Sequence, residues 1–234
     1  MERIVVLTGA GISRESGLDT FRDADGIWSR YDIADVCTPD AFRRDPALVD
    51  RFYNDRRAEL GRVRPNAAHL ALARLEEAAR TGQWPGELLI VTQNIDDLHE
   101  RAGSRNVWHM HGELLRVRCT SCGGTPEWQA DCLPHTPCPL CGRPTLRPDV
   151  VWFGEIPLHM PRIEAALEAC DLFVAIGTSG TVYPAAGFAA LVEGHADTLE
   201  INQEPSAVST RFDRFMTGPA TRMVPRWVDE RLAR

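Results

Sequence analysis

The stretch Ile4-Val5-Val6-Leu7-Thr8-Gly9-Ala10-Gly11 decides the fold class of this chain. A continuous apolar run rich in β-branched residues is typical of a strand buried on both faces of a parallel sheet, and the glycines predict a tight turn directly after it. Similar apolar runs recur downstream, at 88–92, 172–177 and 198–202. Stretches with helical periodicity lie between these runs, at 67–80, 161–169 and 184–193. This alternation predicts an α/β fold with a doubly wound, Rossmann-like parallel sheet.

Two cysteine pairs carry the clearest chemical signal in the chain. Cys119-x-x-Cys122 and Cys138-x-x-Cys141 are separated by fifteen residues, a spacing typical of two thiolate knuckles around tetrahedral zinc. The alternative is that the four cysteines have no common role. It is disfavoured because the surrounding stretch has too few core residues to fold without a bound metal. Four thiolates close the coordination sphere. We therefore expect one structural zinc ion.

The same region interrupts the alternation of strands and helices. Residues 116–148 are rich in Cys, Pro and Gly and show little periodicity, and residues 33–65 are arginine-rich and helical in pattern. We expect these two insertions, a zinc-binding module and a helical segment, to form a smaller inserted domain. The Rossmann-like domain would then consist of residues 1–32, 66–115 and 149–234.

The composition excludes several classes of function. The formal net charge of −7 argues against a broad nucleic-acid surface, which needs a basic patch. All 26 basic residues are arginine, which excludes Schiff-base chemistry and the phosphate-binding lysine of a P-loop. No apolar run approaches the roughly eighteen residues of a membrane span, and the N-terminus lacks a secretory pattern. We expect a cytoplasmic protein that binds neither nucleic acid nor membrane; the sequence does not give its oligomeric state.

Polar and glycine-rich segments follow the predicted strands directly. Gly9-Ala10-Gly11-Ile12-Ser13 resembles a dinucleotide fingerprint, whose glycines let backbone N–H groups approach a pyrophosphate. The third glycine comes late, at Gly17, and an ordinary strand–turn would explain the glycines as well. Gln93-Asn94-Ile95-Asp96 places three polar side chains after the next strand, although loop polarity alone could do so. Because parallel strands present their carboxyl ends at one edge, these segments, together with 177–179 and 202–204, predict one composite site.

The segment His109-Met110-His111-Gly112 suggests two hypotheses. Histidines two residues apart can bind a metal, but no third ligand is apparent. A single histidine beside a glycine in a cleft can instead act as a general base, because its pKa lies near neutrality. The residues alone leave this choice open.

Together, these motifs resemble the sirtuins in order and spacing over nearly the whole chain. Further matching motifs are Glu15-Ser16-Gly17, Thr20-Phe21-Arg22, His111-Gly112, Val151-Trp152-Phe153-Gly154-Glu155, Gly177-Thr178-Ser179 and Asn202. The resemblance implies an enzyme that consumes NAD to remove acyl groups from lysine side chains. In that reaction the acyl-lysine carbonyl oxygen attacks the nicotinamide ribose carbon, nicotinamide leaves, and water completes the release of lysine and 2′-O-acyl-ADP-ribose.

The resemblance also implies a role for each matching residue. His111 would be the general base that takes a proton from the ribose hydroxyls. NAD would be bound by Gly9, Ala10, Gly11, Ile12, Phe21, Arg22, Trp28, Gln93, Asn94, Ile95, Asp96, Gly177, Thr178, Ser179, Asn202, Gln203, Glu204 and Ala220. The substrates would be acylated-lysine proteins, which would add as a strand through Val151, Phe153, Gly154 and Glu155.

Tyr53 and Arg56 resemble the Tyr-x-x-Arg signature of the class III sirtuins, which are desuccinylases and demalonylases. Residues i and i+3 lie on one helix face, so the hydroxyl and the guanidinium could receive a carboxylate together. The alternative is a solvated, arginine-rich helix. Three residues depart from the family pattern: Arg14 and Cys37 stand where alanine is usual, and Asp149 where histidine is common. A thiol at Cys37 would narrow the acyl pocket.

The sequence leaves two other functions to consider. An NAD-dependent protein mono-ADP-ribosyltransferase would share the first chemical step but pass the sugar to a protein nucleophile. A zinc-ribbon binding module with a vestigial nucleotide site would not need the intact His111 and nucleotide motifs, so the sequence disfavours it. The sequence gives neither the target proteins nor the ranking of acetyl against succinyl or malonyl groups.

Overall fold

The computed structural model describes residues 1–18 and 31–233. Its strands are β1 (Glu2–Thr8), β2 (Gly86–Thr92), β3 (Val107–His109), β4 (Gly112–Cys119), β5 (Leu146–Val150), β6 (Leu172–Ile176), β7 (Asp197–Asn202) and β8 (Arg214–Thr217). Six of them form one sheet in the order β3-β2-β1-β6-β7-β8, with every pair parallel. The other two, β4 and β5, form a separate antiparallel pair. The predicted Rossmann-like α/β fold is therefore confirmed.

The four apolar runs form the centre of this sheet. They correspond to β1, β2, β6 and β7, and β1 pairs in parallel with both β2 and β6. Ile4 and Val6 belong to a core on one face of the sheet, whereas Val5 and Leu7 belong to a core on the other face. Consecutive side chains of a strand point to opposite faces, so a strand covered on both sides needs apolar residues at every position.

Helices cover both faces of the sheet. Their bounds are α1 (Ile33–Val36), α2 (Pro39–Arg44), α3 (Pro46–Leu60), α4 (Ala67–Arg80), α5 (Leu98–Ala102), α6 (Met160–Ala169), α7 (Phe188–Leu191) and α8 (Ala220–Leu232). Helices α4 and α8 pack over Ile4 and Val6, and α6 and α7 pack over Val5 and Leu7. In the described part of the chain, no helix is long and apolar enough to cross a membrane.

The predicted helical stretches are only partly continuous. Residues 67–80 form α4, and residues 161–169 lie within α6. The stretch 184–193 forms a short 3-10 turn, Ala185–Gly187, followed by the single-turn helix α7. Gly187 is the last residue of the 3-10 turn, directly before α7, and glycine is the weakest helix former after proline.

The two insertions meet through side chains of α3. Asn54 donates to the Cys132 carbonyl at 2.8 Å and accepts from the Cys132 N–H at 2.9 Å. Arg57 donates to the carbonyls of Leu114 (3.0 Å) and Ala130 (3.3 Å). The strand pair of the zinc-binding region extends four residues before and two residues beyond the predicted bounds of 116–148. The division into two domains stays a prediction.

Two leucines of α4 provide a test of the core. Leu72 is completely buried, whereas Leu70 is 53% exposed on the same helix. We expect Leu72→Ala to lower the free energy of unfolding by about 2–5 kcal/mol, because it removes buried methyl groups and leaves a cavity. Leu70→Ala should change it by no more than about 0.5 kcal/mol. Urea denaturation of both variants measures the difference, and equal losses would contradict the placement of α4.

Candidate functional site

The turns that follow β1 and β6 cross each other at backbone contact. The Gly9 N–H donates to the Ile176 carbonyl at 3.0 Å, and the Gly11 N–H donates to the Gly177 carbonyl at 2.9 Å. A Cβ atom at Gly11 would lie 2.7 Å from the Gly177 Cα atom, and one at Gly177, where φ is +62°, would lie 2.5 Å from the Ile12 nitrogen. This crossing alone requires the glycines. Their predicted role toward a pyrophosphate stays a prediction.

Polar side chains from neighbouring strands meet at the carboxyl edge of the sheet. Gln93, which follows β2, donates its amide to the Thr178 hydroxyl at 3.1 Å. Asn94 donates to the Gly9 carbonyl at 3.2 Å, and Asn202, at the end of β7, donates to the Thr178 carbonyl at 2.8 Å. Segments separated by 85 residues in the chain are thus in direct contact. Gln93, Asn94, Thr178 and Asn202 therefore lie together at this edge.

Asp96 is a buried carboxyl group in this cluster. It accepts from the Ser13 hydroxyl at 3.0 Å and from the Leu98 N–H at 3.1 Å. Burial raises the pKa of Asp96, and the two hydrogen bonds oppose that effect by favouring the charged form. Asn94 also donates to the Ser13 hydroxyl, at 3.2 Å. Ser13 therefore connects the two polar residues predicted to bind the nicotinamide ribose.

Ser13 and His69 belong to this cluster but were not among the predicted site residues. His69 Nε2 lies 3.4 Å from the Ser13 hydroxyl, and its Nδ1 accepts from the Asn66 N–H. His69 is completely buried, and burial lowers its pKa to about 4. Its sequence signal was the Asn66-x-x-His69 spacing of a capping box at the start of α4, with a titratable residue on a core-facing position.

Most of the remaining predicted NAD-binding residues lie within the described ranges. Ile12 is completely buried, Ala10 lies in the turn after β1, and Ala220 begins α8. Ile95 packs against the apolar cluster that contains Phe52 and Tyr53, Ser179 is half-buried, and Gln203 and Glu204 are exposed after β7. The predictions for Phe21, Arg22 and Trp28 fall outside the described residues.

His111 has the geometry of a neutral base. Its Nδ1 lies 3.0 Å from the Gln93 carbonyl oxygen. A carbonyl can only accept, so Nδ1 carries the proton and Nε2 keeps its lone pair. Burial lowers the pKa of His111, opposed by the bond to Gln93, so the neutral form predominates near pH 7.

His109 has a different, internal role. Its Nδ1 lies 3.1 Å from the Asn94 carbonyl, and its Nε2 lies 2.8 Å from the Glu100 carboxylate. Burial lowers the pKa of His109, but its hydrogen bond and charge interaction with Glu100 outweigh that effect and raise the pKa above its ordinary value. Both ring nitrogens are thus engaged. Within the described ranges, no metal-binding cluster includes either His109 or His111.

Tyr53 and Arg56 lie on the buried side of α3. The Tyr53 side chain is 2% exposed, and its hydroxyl accepts from Trp152 Nε1 at 3.0 Å and lies 3.5 Å from Cys37 Sγ. Arg56 is half-buried, with its guanidinium 5.7 Å from the Phe52 ring centroid. Its charge lowers the pKa of both Tyr53 and Cys37, in each case against the larger raising effect of burial. The role of this pair toward an acyl carboxylate stays a prediction.

The predicted peptide-binding segment 151–155 follows β5 as a turn, not as a strand. Four of its five backbone N–H groups bond within the chain: Val151 to the His111 carbonyl (2.9 Å), Phe153 to the Cys37 carbonyl (2.9 Å), Glu155 to the Trp152 carbonyl (2.9 Å) and Trp152 to the Glu155 carboxylate (2.8 Å). Val151 and Trp152, which are consecutive, thus link the His111 carbonyl to the Tyr53 hydroxyl. Strand addition by a substrate would depend on carbonyl groups and on Gly154, and the peptide-binding role stays a prediction.

Two ion pairs involve acidic residues in or next to this segment, Glu155 and Asp149. Arg147 bonds both carboxylate oxygens of Glu155, at 2.6 and 2.9 Å, and its guanidinium stacks 3.4 Å from the Trp152 ring centroid. Asp149, one of the departures from the family pattern, accepts from Arg118 of the paired strand at 2.8 Å. Asp149 therefore stabilises the β4–β5 pair.

The four cysteines of the zinc-binding region converge. All four Sγ atoms lie within 4.8 Å of one another, with Cys119 and Cys141 3.7 Å apart and Cys122 and Cys138 3.9 Å apart. Tetrahedral zinc with Zn–S bonds of about 2.3 Å places its sulfur ligands about 3.8 Å apart. A disulfide would need about 2.05 Å. The arrangement thus fits one zinc ion.

Comparison with known proteins agrees with this geometry. A sequence model of the Sir2 family, the sirtuins, matches residues 9–184. The chain belongs to the Sir2 family. Its similarity to an NAD-dependent protein deacylase of Caulobacter vibrioides is 57% identity over 235 residues, covering 99% of this chain and 98% of that protein. The NAD-dependent protein deacylase SIR2rp3 of Leishmania major is 55% identical over 232 residues, covering 97% of this chain and 94% of that protein.

Solved Sir2 structures share the fold. A Sir2 homolog–NAD complex superposes with a TM-score of 0.86 at 39% identity, covering 98% of this chain and 90% of that chain. Sir2Af2 bound to a myristoylated histone peptide superposes with a TM-score of 0.71 at 29% identity, covering 97% and 90%. The resemblance seen in the motifs is confirmed at the level of the family.

Two glycines with positive φ allow the energetic cost of steric crowding to be measured apart from the cost of the backbone conformation. Gly177 (φ +62°) is packed against the Gly11–Ile12 backbone, whereas Gly194 (φ +87°) has nothing within 4 Å of a hypothetical Cβ. Gly194→Ala should cost about 1–2 kcal/mol of unfolding free energy, the cost of the left-handed conformation. Gly177→Ala should cost about 1–3 kcal/mol more, because its Cβ overpacks the crossing. Denaturation curves that show equal costs would contradict the crossing.

Proposed function

We propose that this sirtuin removes acyl groups from protein lysine side chains in an NAD-dependent reaction that releases nicotinamide and 2′-O-acyl-ADP-ribose. The observation that carries the proposal is the neutral His111, whose Nδ1 bonds the Gln93 carbonyl while Nε2 keeps its lone pair. This base stands beside a polar edge built from Gln93, Asn94 and Asp96. Relatives named NAD-dependent protein deacylases and a Sir2 homolog solved with NAD support it.

Each part of the edge has a proposed task. His111 takes a proton from the ribose hydroxyls, so that the 2′-oxygen can attack the former carbonyl carbon of the acyl group. Asn94 and Asp96, held by Ser13, orient the ribose and the nicotinamide carboxamide. The turns at 177–179 and 202–204 and the start of α8 at Ala220 hold the adenosine end.

Removal of His111 tests the general base. We expect His111→Ala to lower deacylation by roughly 10²–10⁴-fold, the usual contribution of a positioned base, while NAD binding persists. Release of acyl-ADP-ribose and lysine peptide, followed by mass spectrometry, measures it and also distinguishes deacylation from transfer of ADP-ribose to protein. His195→Ala, an exposed histidine at the opposite strand ends, is the control. Full activity of the His111 variant would exclude the assignment.

The pH profile gives a second test of the same base. The neutral form of His111 is active, and burial lowers its pKa below the ordinary value of 6.5. The kcat/KM should therefore be flat through neutral pH and decline only as the pH falls through that lowered pKa. A decline that begins above pH 6.5 would contradict the buried, carbonyl-bonded histidine.

We further propose that succinyl- and malonyl-lysine are preferred over acetyl-lysine. Only succinyl and malonyl groups carry a terminal carboxylate, which Arg56 can bind through two parallel hydrogen bonds while Tyr53 donates one more. The proposal is supported by the shared location of these two side chains on α3, where the Arg56 charge acts on the Tyr53 hydroxyl.

Arg56→Met should lower kcat/KM for succinyl-lysine by roughly 10–10²-fold while sparing acetyl-lysine, because charged hydrogen bonds contribute about 1.5–3 kcal/mol each. Arg56→Lys should retain part of the preference for succinyl-lysine, since lysine keeps the positive charge but cannot form the two parallel hydrogen bonds of a guanidinium. Arg57→Met is the matched control: Arg57 bonds backbone carbonyls, so its loss should lower stability and affect all acyl groups alike. Equal losses on acetyl and succinyl peptides for Arg56→Met would reject the carboxylate site.

We propose that Cys119, Cys122, Cys138 and Cys141 bind one structural zinc ion, because their sulfur spacing fits tetrahedral coordination. Freshly purified protein should contain about one zinc per chain by mass spectrometry. Cys141→Ser should lose the metal and unfold the zinc-binding region, since metal binding and folding are coupled. Cys170→Ser, at a buried cysteine outside the cluster, should retain the metal. Zinc-free wild-type protein would end this proposal.

A further inference from the structure

The Tyr53 hydroxyl is buried between two specific partners. Trp152 Nε1 lies 3.0 Å from it and Cys37 Sγ lies 3.5 Å from it. An indole N–H can only donate, so the Tyr53 oxygen accepts from Trp152. Cys37 Sγ is therefore the neighbouring atom that can accept a hydrogen bond from the Tyr53 hydroxyl.

The count of donors and acceptors assigns the direction of that contact. If the Cys37 thiol donated to Tyr53, the oxygen would accept twice and its own proton would have no described acceptor, although the side chain is only 2% exposed. A buried, unbonded hydroxyl proton is unfavourable, and a thiol is a weak donor. Burial raises the pKa of Tyr53 well above its ordinary value, so the hydroxyl keeps its proton. The Tyr53 O–H donates to Cys37 Sγ.

The sulfur is held at this place by the backbone of its own residue. The Cys37 N–H donates to the Ile33 carbonyl at 2.9 Å, and the Cys37 carbonyl accepts from the Phe153 N–H at 2.9 Å. Cys37 is 6% exposed. The backbone of Cys37 is therefore fixed on both sides, and the buried thiol faces the Tyr53 hydroxyl.

We propose that Cys37 determines acyl selectivity by accepting the Tyr53 hydroxyl proton in the substrate-free enzyme and so competing with the carboxylate of a succinyl or malonyl group. To bind the carboxylate, the hydroxyl must leave the sulfur and redirect its proton; no covalent bond changes. An acetyl group makes no demand on that proton, so the competition lowers only the preference for acidic acyl groups. The inference rests on the proposed carboxylate-binding function of Tyr53 and Arg56.

Two substitutions at Cys37 separate this competition from pocket width. Cys37→Ala removes the acceptor, and the succinyl-to-acetyl ratio of kcat/KM should rise roughly 2- to 10-fold, the range of one neutral hydrogen bond, mainly through KM for the succinyl peptide. Cys37→Ser replaces sulfur by a smaller atom that is a stronger acceptor. Competition predicts a ratio at or below that of the wild type, whereas an effect of width predicts a rise for both variants.

The same pair of substitutions in the Tyr53→Phe background completes a double-mutant cycle. Without the hydroxyl, neither Cys37→Ala nor Cys37→Ser should change the ratio. A rise with both variants that persists in this background would show that Cys37 acts by volume and would overturn the proposal, as would no change of the ratio with Cys37→Ala. Thermal unfolding of each variant confirms that it is folded, and the two substitutions keep the test valid if one of them is unstable.

The Arg56→Met variant distinguishes a failure of the proposed carboxylate site from a failure of the proposed role of Cys37. If it abolishes the succinyl preference while the Cys37 variants behave as the wild type, the carboxylate site stands and the role of Cys37 falls. If Arg56→Met leaves the preference unchanged, the carboxylate site itself falls, and the role of Cys37 falls with it.

Discussion

The whole active edge depends on one backbone constraint, the crossing of the turns after β1 and β6. Gly9, Gly11 and Gly177 approach so closely that none of them has room for a Cβ atom. The parallel register of β1 with its two neighbours brings the strand ends level, and the crossing then joins their turns. Gln93, which follows β2, and Asn202, at the end of β7, then both bond Thr178 in one of these turns.

A second set of contacts connects Cys37 and Tyr53 to His111, beside that edge. The segment after β5 bonds the His111 carbonyl through Val151, the Cys37 carbonyl through Phe153 and the Tyr53 hydroxyl through Trp152. His111, Cys37 and Tyr53 are therefore held by three consecutive residues. Movement of one group relative to the other would break hydrogen bonds in a buried region, where polar groups without partners are costly.

Much of this could be predicted from the sequence, for reasons that also explain the failures. Strands β1, β2, β6 and β7 are buried on both faces, so their apolar runs were unambiguous. Strands β3 and β8 have only three and four residues, and β5 contains Arg147, Pro148 and Asp149, so neither length nor composition marked them. The capping-box spacing marks His69 locally, but it does not predict the contact of His69 with Ser13, because contacts between distant residues leave no local pattern. The same holds for the contact of Tyr53 with Trp152, which are 99 residues apart. The glycines were noticed, but the backbone crossing that demands them was not foreseen.

The docking of α3 on the zinc-binding region has an evolutionary consequence. Asn54 and Arg57 bond only to main-chain groups there, at Leu114, Ala130 and Cys132. These bonds do not depend on the side chains of the three residues, provided that the path of the backbone is kept. Leu114 and Cys132 are nevertheless buried in apolar clusters, whereas the side chain of Ala130 is exposed. The position of Ala130 can therefore differ between related proteins while the attachment of the region to α3 is preserved.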